Sequence, residues 1–154
     1  MNPTRINPWI ATLCLGYSSV ATRMASADVV TEWNIKAGEI VSTMGDRVGA
    51  EGKSATATFF GSPARFPTGP FLLAHLLACP VYLSFGLYFE PNRYELFCEP
   101  FAEKIALPRE GRDQALAALA QRYATRLEEY CRRAEYNWFN FFEFWEEPKK
   151  EERS

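Results

Sequence analysis

Few residues in this chain have side chains able to do chemistry, and the spacing around them is what limits it. Among 154 residues there is one histidine, His75. An imidazole that removes a proton works best beside a carboxylate that orients it. His75 lies in an apolar run, so it reads as a neutral, hydrogen-bonded core histidine. Asp46 and Arg47 are better placed. They follow a short apolar stretch, Glu39 to Met44, that reads as a buried strand, and the ends of such strands are where α/β sites form. Arg47 can hold a phosphate or a carboxylate through two parallel hydrogen bonds, with Asp46 fixing the geometry. The plain alternative is a solvated loop ion pair worth about 0–1 kcal/mol. Lys53 and Arg65 flank the next loop and can neutralise an anionic group, or be soluble surface.

The cysteines, Cys14, Cys79, Cys98 and Cys131, form no C-x-x-C pair. With one histidine they do not make a zinc site, and they read as reduced, mostly buried thiols. No cofactor is expected.

The elements that must position these residues follow from composition and period. The chain is 47% hydrophobic and 15% aromatic, too apolar for disorder, and its net charge of −2 gives no drive toward nucleic acid. No apolar run reaches the roughly 20 residues of a membrane span. Pro8 to Val20 is too short and too polar for a signal peptide. Residues 1–23 show no clear period and are left unassigned. Ser26 caps a helix to Ala37, with Gly38 as its stop. After the strand at Glu39–Met44, Gly45 to Lys53 is a loop, Ser54 to Phe60 a strand, and Gly61 to Pro67 a turn region. Thr68 caps a buried, apolar helix from Gly69 to Cys79. Val81–Phe89 and Tyr94–Cys98 form a hairpin around Pro91-Asn92. Arg109 to Glu135 is the longest regular signal, with Leu116, Leu119, Ala120, Tyr123, Leu127, Tyr130, Cys131 and Ala134 at helical spacing. The aromatic stretch Tyr136 to Trp145 either anchors at a bilayer interface or packs on the sheet. Residues 146–154 read as a disordered charged tail. The fold class is α/β, a mixed sheet flanked by helices.

Five blocks in order carry a family resemblance: GEIVSTMGDR at 38–47, TFFGSPA at 58–64, FPTGPFLLAH at 66–75, CPVYL at 79–83, and YNWFNFFEFW at 136–145. Together they resemble the lysophospholipid acyltransferase superfamily, most closely the bacterial lipid A biosynthesis (lauroyl/myristoyl) acyltransferases. The resemblance implies an incomplete acyltransferase-type α/β domain, the C-terminal half, over residues 24–145. It implies transfer of a fatty acyl group from an acyl-carrier-protein or coenzyme A thioester to a lipid hydroxyl. The expected place is the cytoplasmic side of the bacterial inner membrane, peripherally bound. In that superfamily a His-x4-Asp/Glu pair activates the hydroxyl, and no such pair stands here, so the chain has no catalytic residue to assign. Block order puts Asp46 and Arg47 where the superfamily contacts its acceptor and leaves the Phe66–Gly69 segment as a helix-opening turn; with a lipid acceptor implied, Arg65 and Lys53 could neutralise its anionic headgroup, and Arg65 is taken as a further substrate contact. The alternative function is a non-catalytic remnant that binds lipid or a membrane surface.

Overall fold

A computed structural model describes residues 12–15, 22–24, 40–48, 52–138 and 143–145, the first two segments as backbone only. The helix expected at Ser26–Ala37, the loop residues 49–51, Phe139 to Phe142 and the tail from Glu146 lie outside the described residues.

Strands β1 (Thr12–Leu15), β2 (Thr22–Met24), β3 (Ile40–Met44), β6 (Val81–Phe89) and β7 (Arg93–Ala102) form one sheet in the order β2-β3-β1-β6-β7. The sheet is mixed: β2 runs parallel to β3, while β1 is antiparallel to both β3 and β6. β1 and β2 arise from the N-terminal stretch that lacks a visible period, and β1 occupies the middle of the sheet. β4 (Ser54–Phe59) and β5 (Ser62–Pro67) make a separate two-stranded hairpin. Two helices are described, α1 (Gly69–Leu77) and α2 (Arg112–Arg133).

One face of the sheet is the core. Val81, Leu83, Phe85 and Leu87 alternate inward along β6, the period of a strand with one covered face. Their cover is α2, whose Tyr130 ring stacks on Phe85 at 3.9 Å between centroids. Leu116, Ala120, Tyr123, Leu127, Tyr130, Cys131 and Ala134 are buried as the helical period predicts, with Ala124 added to them, while Leu119 is half-buried. On β7 the Glu99 carboxylate takes two hydrogen bonds from the Arg126 guanidinium, at 2.7 and 2.5 Å, and this fixes the register of helix on sheet.

The hairpin is clamped to the same helix. The Gln121 side-chain amide accepts from the Thr58 N–H at 2.7 Å and donates to its carbonyl at 3.0 Å, as a neighbouring strand would. At the tip, Phe60 (φ 50°) and Gly61 (φ 80°) both have positive φ, the two-residue turn whose twist suits a hairpin.

Three expectations need correction. Gly61 to Pro67 is not a turn region: only its first residue turns, and Ser62–Pro67 is β5. Pro63 and Pro67 hide the strand in the sequence, yet a two-stranded hairpin leaves an edge where a missing N–H costs nothing. Thr68 stands at the N-cap of α1 without capping it, because its backbone is helical and its hydroxyl donates instead to the Lys53 carbonyl at 3.1 Å. Its N–H reaches the same carbonyl at 2.9 Å, so Thr68 ties α1 to the loop before β4. Finally, α1 ends at Leu77, with Ala78 left-handed, and it is not buried all round: Pro70, Phe71 and Ala74 face inward while Leu76 is 78% exposed.

Candidate functional site

The segment leaving β3 passes close to α2. Gly45 lies flat against the ring of Tyr123: a β-carbon there would sit 2.6 Å from Tyr123 Cζ and 2.7 Å from its hydroxyl oxygen. No other residue fits that approach without displacing the loop. The two residues that follow then point to opposite environments. Asp46 is half-buried and Arg47 is exposed.

The Asp46 carboxylate accepts a hydrogen bond from the Trp138 indole Nε1 at 3.1 Å. Burial raises its pKa above the ordinary aspartate value; the Trp138 bond, a backbone bond and the Arg47 charge oppose that rise without cancelling it. Two neutral groups of α2 lie near it. The Tyr123 hydroxyl is held well above its usual pKa by burial first and by the Asp46 charge second. The Cys131 thiol is pushed up to about 12 for the same two reasons. Tyr123 Oη is the one buried side-chain polar atom without a hydrogen-bond partner among the described residues. A charge kept in such a place costs stability and is characteristic of working sites.

That cost gives a testable sign. An acid whose folded pKa is raised contributes stability that is complete below the unfolded value and is lost as pH rises through the folded one. Ionised Asp46 therefore weakens the fold at neutral pH. Asp46→Asn keeps an acceptor for Trp138 and removes the charge, so it should raise stability at pH 7 by up to about 1 kcal/mol. The gain should vanish below about pH 4, where the unfolded aspartate is protonated. Melting curves of both proteins across pH 3.5–8 check this; a destabilised Asn variant at pH 7 would contradict it.

The segment after α2 supplies the outer wall. It turns at Tyr136 (φ 67°), and the described residues beyond it, Asn137, Trp138 and Glu143 to Trp145, are not helical. The Asn137 amide pairs with both the N–H and the carbonyl of Tyr88 at 3.0 Å each. Trp145 bridges to Ala64, and its indole N–H donates to the Phe59 carbonyl at 3.0 Å. Phe59 sits among Trp138, Phe144 and Trp145. Of the two readings of this aromatic stretch, packing describes Trp138 and Phe144; Tyr136 (94% exposed) and Trp145 (43%) keep surface.

The other sequence candidates fall elsewhere. Arg65 is exposed on β5, where its Nε donates to Ser54 Oγ at 2.9 Å across the hairpin. Lys53 is exposed and contributes its carbonyl to the Thr68 tie. His75 is half-buried, with Nδ1 3.1 Å from the Ile105 carbonyl and 3.3 Å from the Leu107 N–H. One nitrogen cannot serve both at once: protonated it donates to Ile105, bare it accepts from Leu107. Either way the imidazole is tied to the strand-to-helix connection, and among the described residues to no carboxylate. Among the described residues no cluster of His, Cys, Asp and Glu is arranged to hold a metal, and no helix is long and apolar enough to cross a membrane.

Sequence reasoning found the loop and missed Tyr123 and Trp138 as its partners. Gly45 was the available signal, since a glycine just before two charges marks a close backbone approach. A protein-family model described as bacterial lipid A biosynthesis acyltransferase matches residues 32–147. Neither the curated proteins nor the solved structures contain a match to the chain.

Proposed function

This chain belongs to the bacterial lipid A biosynthesis acyltransferases, and from that membership we propose that it supplies the acceptor-contacting part of a lipid acyltransferase. The family sets the general terms, an acyl donor and a lipid acceptor. Acyl-carrier-protein or coenzyme A thioester as donor, a lipid A-like or lysophospholipid hydroxyl as acceptor, and peripheral residence on the cytoplasmic face of the bacterial inner membrane belong to the proposal.

The observation that carries it is the split orientation of Asp46 and Arg47 at the end of β3. Asp46 is drawn inward by Trp138, while Arg47 is exposed and its guanidinium has no hydrogen-bond partner among the described residues. A planar fork with several N–H donors suits a phosphate or carboxylate on the acceptor, held through two parallel bonds. Arg65 is the second proposed cation, on the hairpin. Anchoring the acceptor's anionic group contributes orientation to the reaction. Activation of the hydroxyl needs a base, and His75, tied to Ile105 and Leu107 with proline five residues on, is not proposed for it. That same observation favours the second reading, a lipid-binding relative without chemistry of its own.

The test is co-sedimentation with phosphatidylcholine vesicles, with and without phosphatidic acid, whose headgroup is a phosphate monoester. The chain should bind the phosphatidic acid vesicles, and Arg47→Ala should weaken binding about tenfold or more, the scale of a charge-assisted bidentate contact. Arg47→Lys should recover only part of it. Equal binding by wild type and Arg47→Ala would remove this loop from the acceptor site.

A further inference from the structure

We infer that Trp138 is a positioning residue for the acceptor loop: its indole N–H holds the Asp46 side chain inward and so sets where Arg47 presents its guanidinium. The inference rests on the acceptor reading of Arg47 given above.

The geometry has three independent parts. First, the bond itself joins residues 92 apart, from the segment beyond α2 to the loop beyond β3. Second, the indole has little freedom. Its ring meets Phe59 at 5.1 Å, Phe144 at 4.8 Å and Trp145 at 6.0 Å, each edge to face. The neighbouring Asn137 is fixed by two bonds to Tyr88, so the main chain is held one residue before the indole. Third, the loop has no slack on its other side, where Gly45 lies against Tyr123. Asp46 is thus held by a fixed donor, one residue after a glycine pressed against a buried ring. Arg47, the next residue along, inherits its direction from that grip.

The arrangement depends on the charge of one group. The titratable groups facing Asp46 are Arg47 on its own loop and Tyr123 and Cys131 on α2. Burial pushes both α2 groups upward, away from the acid range, so Asp46 is the group whose charge changes as pH falls toward the carboxylate range. Protonating Asp46 weakens the charge-assisted bond to roughly half its strength and loosens the loop. Trp138 should therefore matter to anion binding when Asp46 is ionised and cease to matter when it is not.

Two measurements on the 154-residue chain test this. In the ¹⁵N-labelled wild type, the Trp138 indole resonance should follow a titration whose midpoint lies above the ordinary aspartate range, and Asp46→Asn should flatten it. This arm needs no variant of Trp138 to fold. In the vesicle assay, Trp138→Phe retains the ring and deletes the donor. At pH 7 it should bind phosphatidic acid vesicles about tenfold more weakly than wild type, the scale of one hydrogen bond to a charged group. The ratio of the two affinities should shrink toward one as pH falls through the indole midpoint; the lipid's own titration is common to both proteins and cancels. A purely structural tryptophan would give a ratio independent of pH, and that result, or an indole resonance indifferent to Asp46, overturns the inference. If Arg47→Ala binds as wild type, the acceptor reading and this inference fall together. If Arg47→Ala is weakened while Trp138→Phe is not, the inference alone falls.

Discussion

Phe59→Ala should cost about 3–5 kcal/mol of folding stability, the range for removing a fully enclosed phenylalanine. Phe59 is 0% exposed and lies within 6.0 Å of the rings of Phe60, Phe66, Trp138, Phe144 and Trp145. It stands where three parts of the chain meet: the β4–β5 hairpin, the segment after α2, and, through Trp138, the loop carrying Asp46. The neighbours are anchored by their own bonds and cannot collapse into the space. Trp145 Nε1 is bound to the Phe59 carbonyl, Trp138 Nε1 to Asp46, and Phe66 packs edge to face on Tyr123. A cavity that does not close is the expensive kind. Since a domain of this size is stable by about 5–15 kcal/mol in all, the loss is a large share of the total. Urea denaturation of both proteins, compared at equal slope, measures the loss. A loss below about 1 kcal/mol would mean that this aromatic cluster is not core.

The elements read from period and turn chemistry are those whose signal is local. The α2 pattern and the β6–β7 hairpin around Pro91-Asn92 each repeat over enough residues to be legible, and the structure shows both, with β7 running longer than expected, from Arg93 to Ala102. β5 was hidden because two prolines spoke for a turn, and a strand's tolerance for proline depends on whether it has a neighbour on that side. Thr68 has the residue type of a cap and is used as a tie, a choice made by the position of Lys53, 15 residues earlier. The strand at Ile40–Met44 is present, but only Val41 in it is buried, because apolar character in a window says nothing of which neighbours cover it. The site divides the same way. Asp46 and Arg47 were visible as a charged pair after a strand between glycines. That one points in and the other out was not, because the donor that decides it, Trp138, comes from another element and Tyr123 from a third. The aromatic stretch 136–145 was read as one thing, anchor or packing, whereas its described members have separate tasks: Asn137 on Tyr88, Trp138 on Asp46, Trp145 on Phe59.

The second large effect concerns the reaction. A positioned general base contributes typically about 10²–10⁴-fold to rate, before orientation of the base is counted. The single imidazole of this chain spends its Nδ1 on the connection between β7 and α2, and proline stands five residues beyond it. Binding the acceptor at Arg47 does not replace that step, because it holds the lipid and moves no proton. The measurement that tests the account most directly is acyl transfer by the purified chain, from radiolabelled acyl-carrier-protein and acyl-coenzyme A thioesters to a lipid hydroxyl acceptor, in wild type and His75→Ala side by side. The account predicts transfer no faster than the protein-free background in both. Robust turnover that survives His75→Ala would contradict it, since the base would then have to be a group other than an imidazole, outside the His-x4-Asp/Glu pair that the superfamily uses.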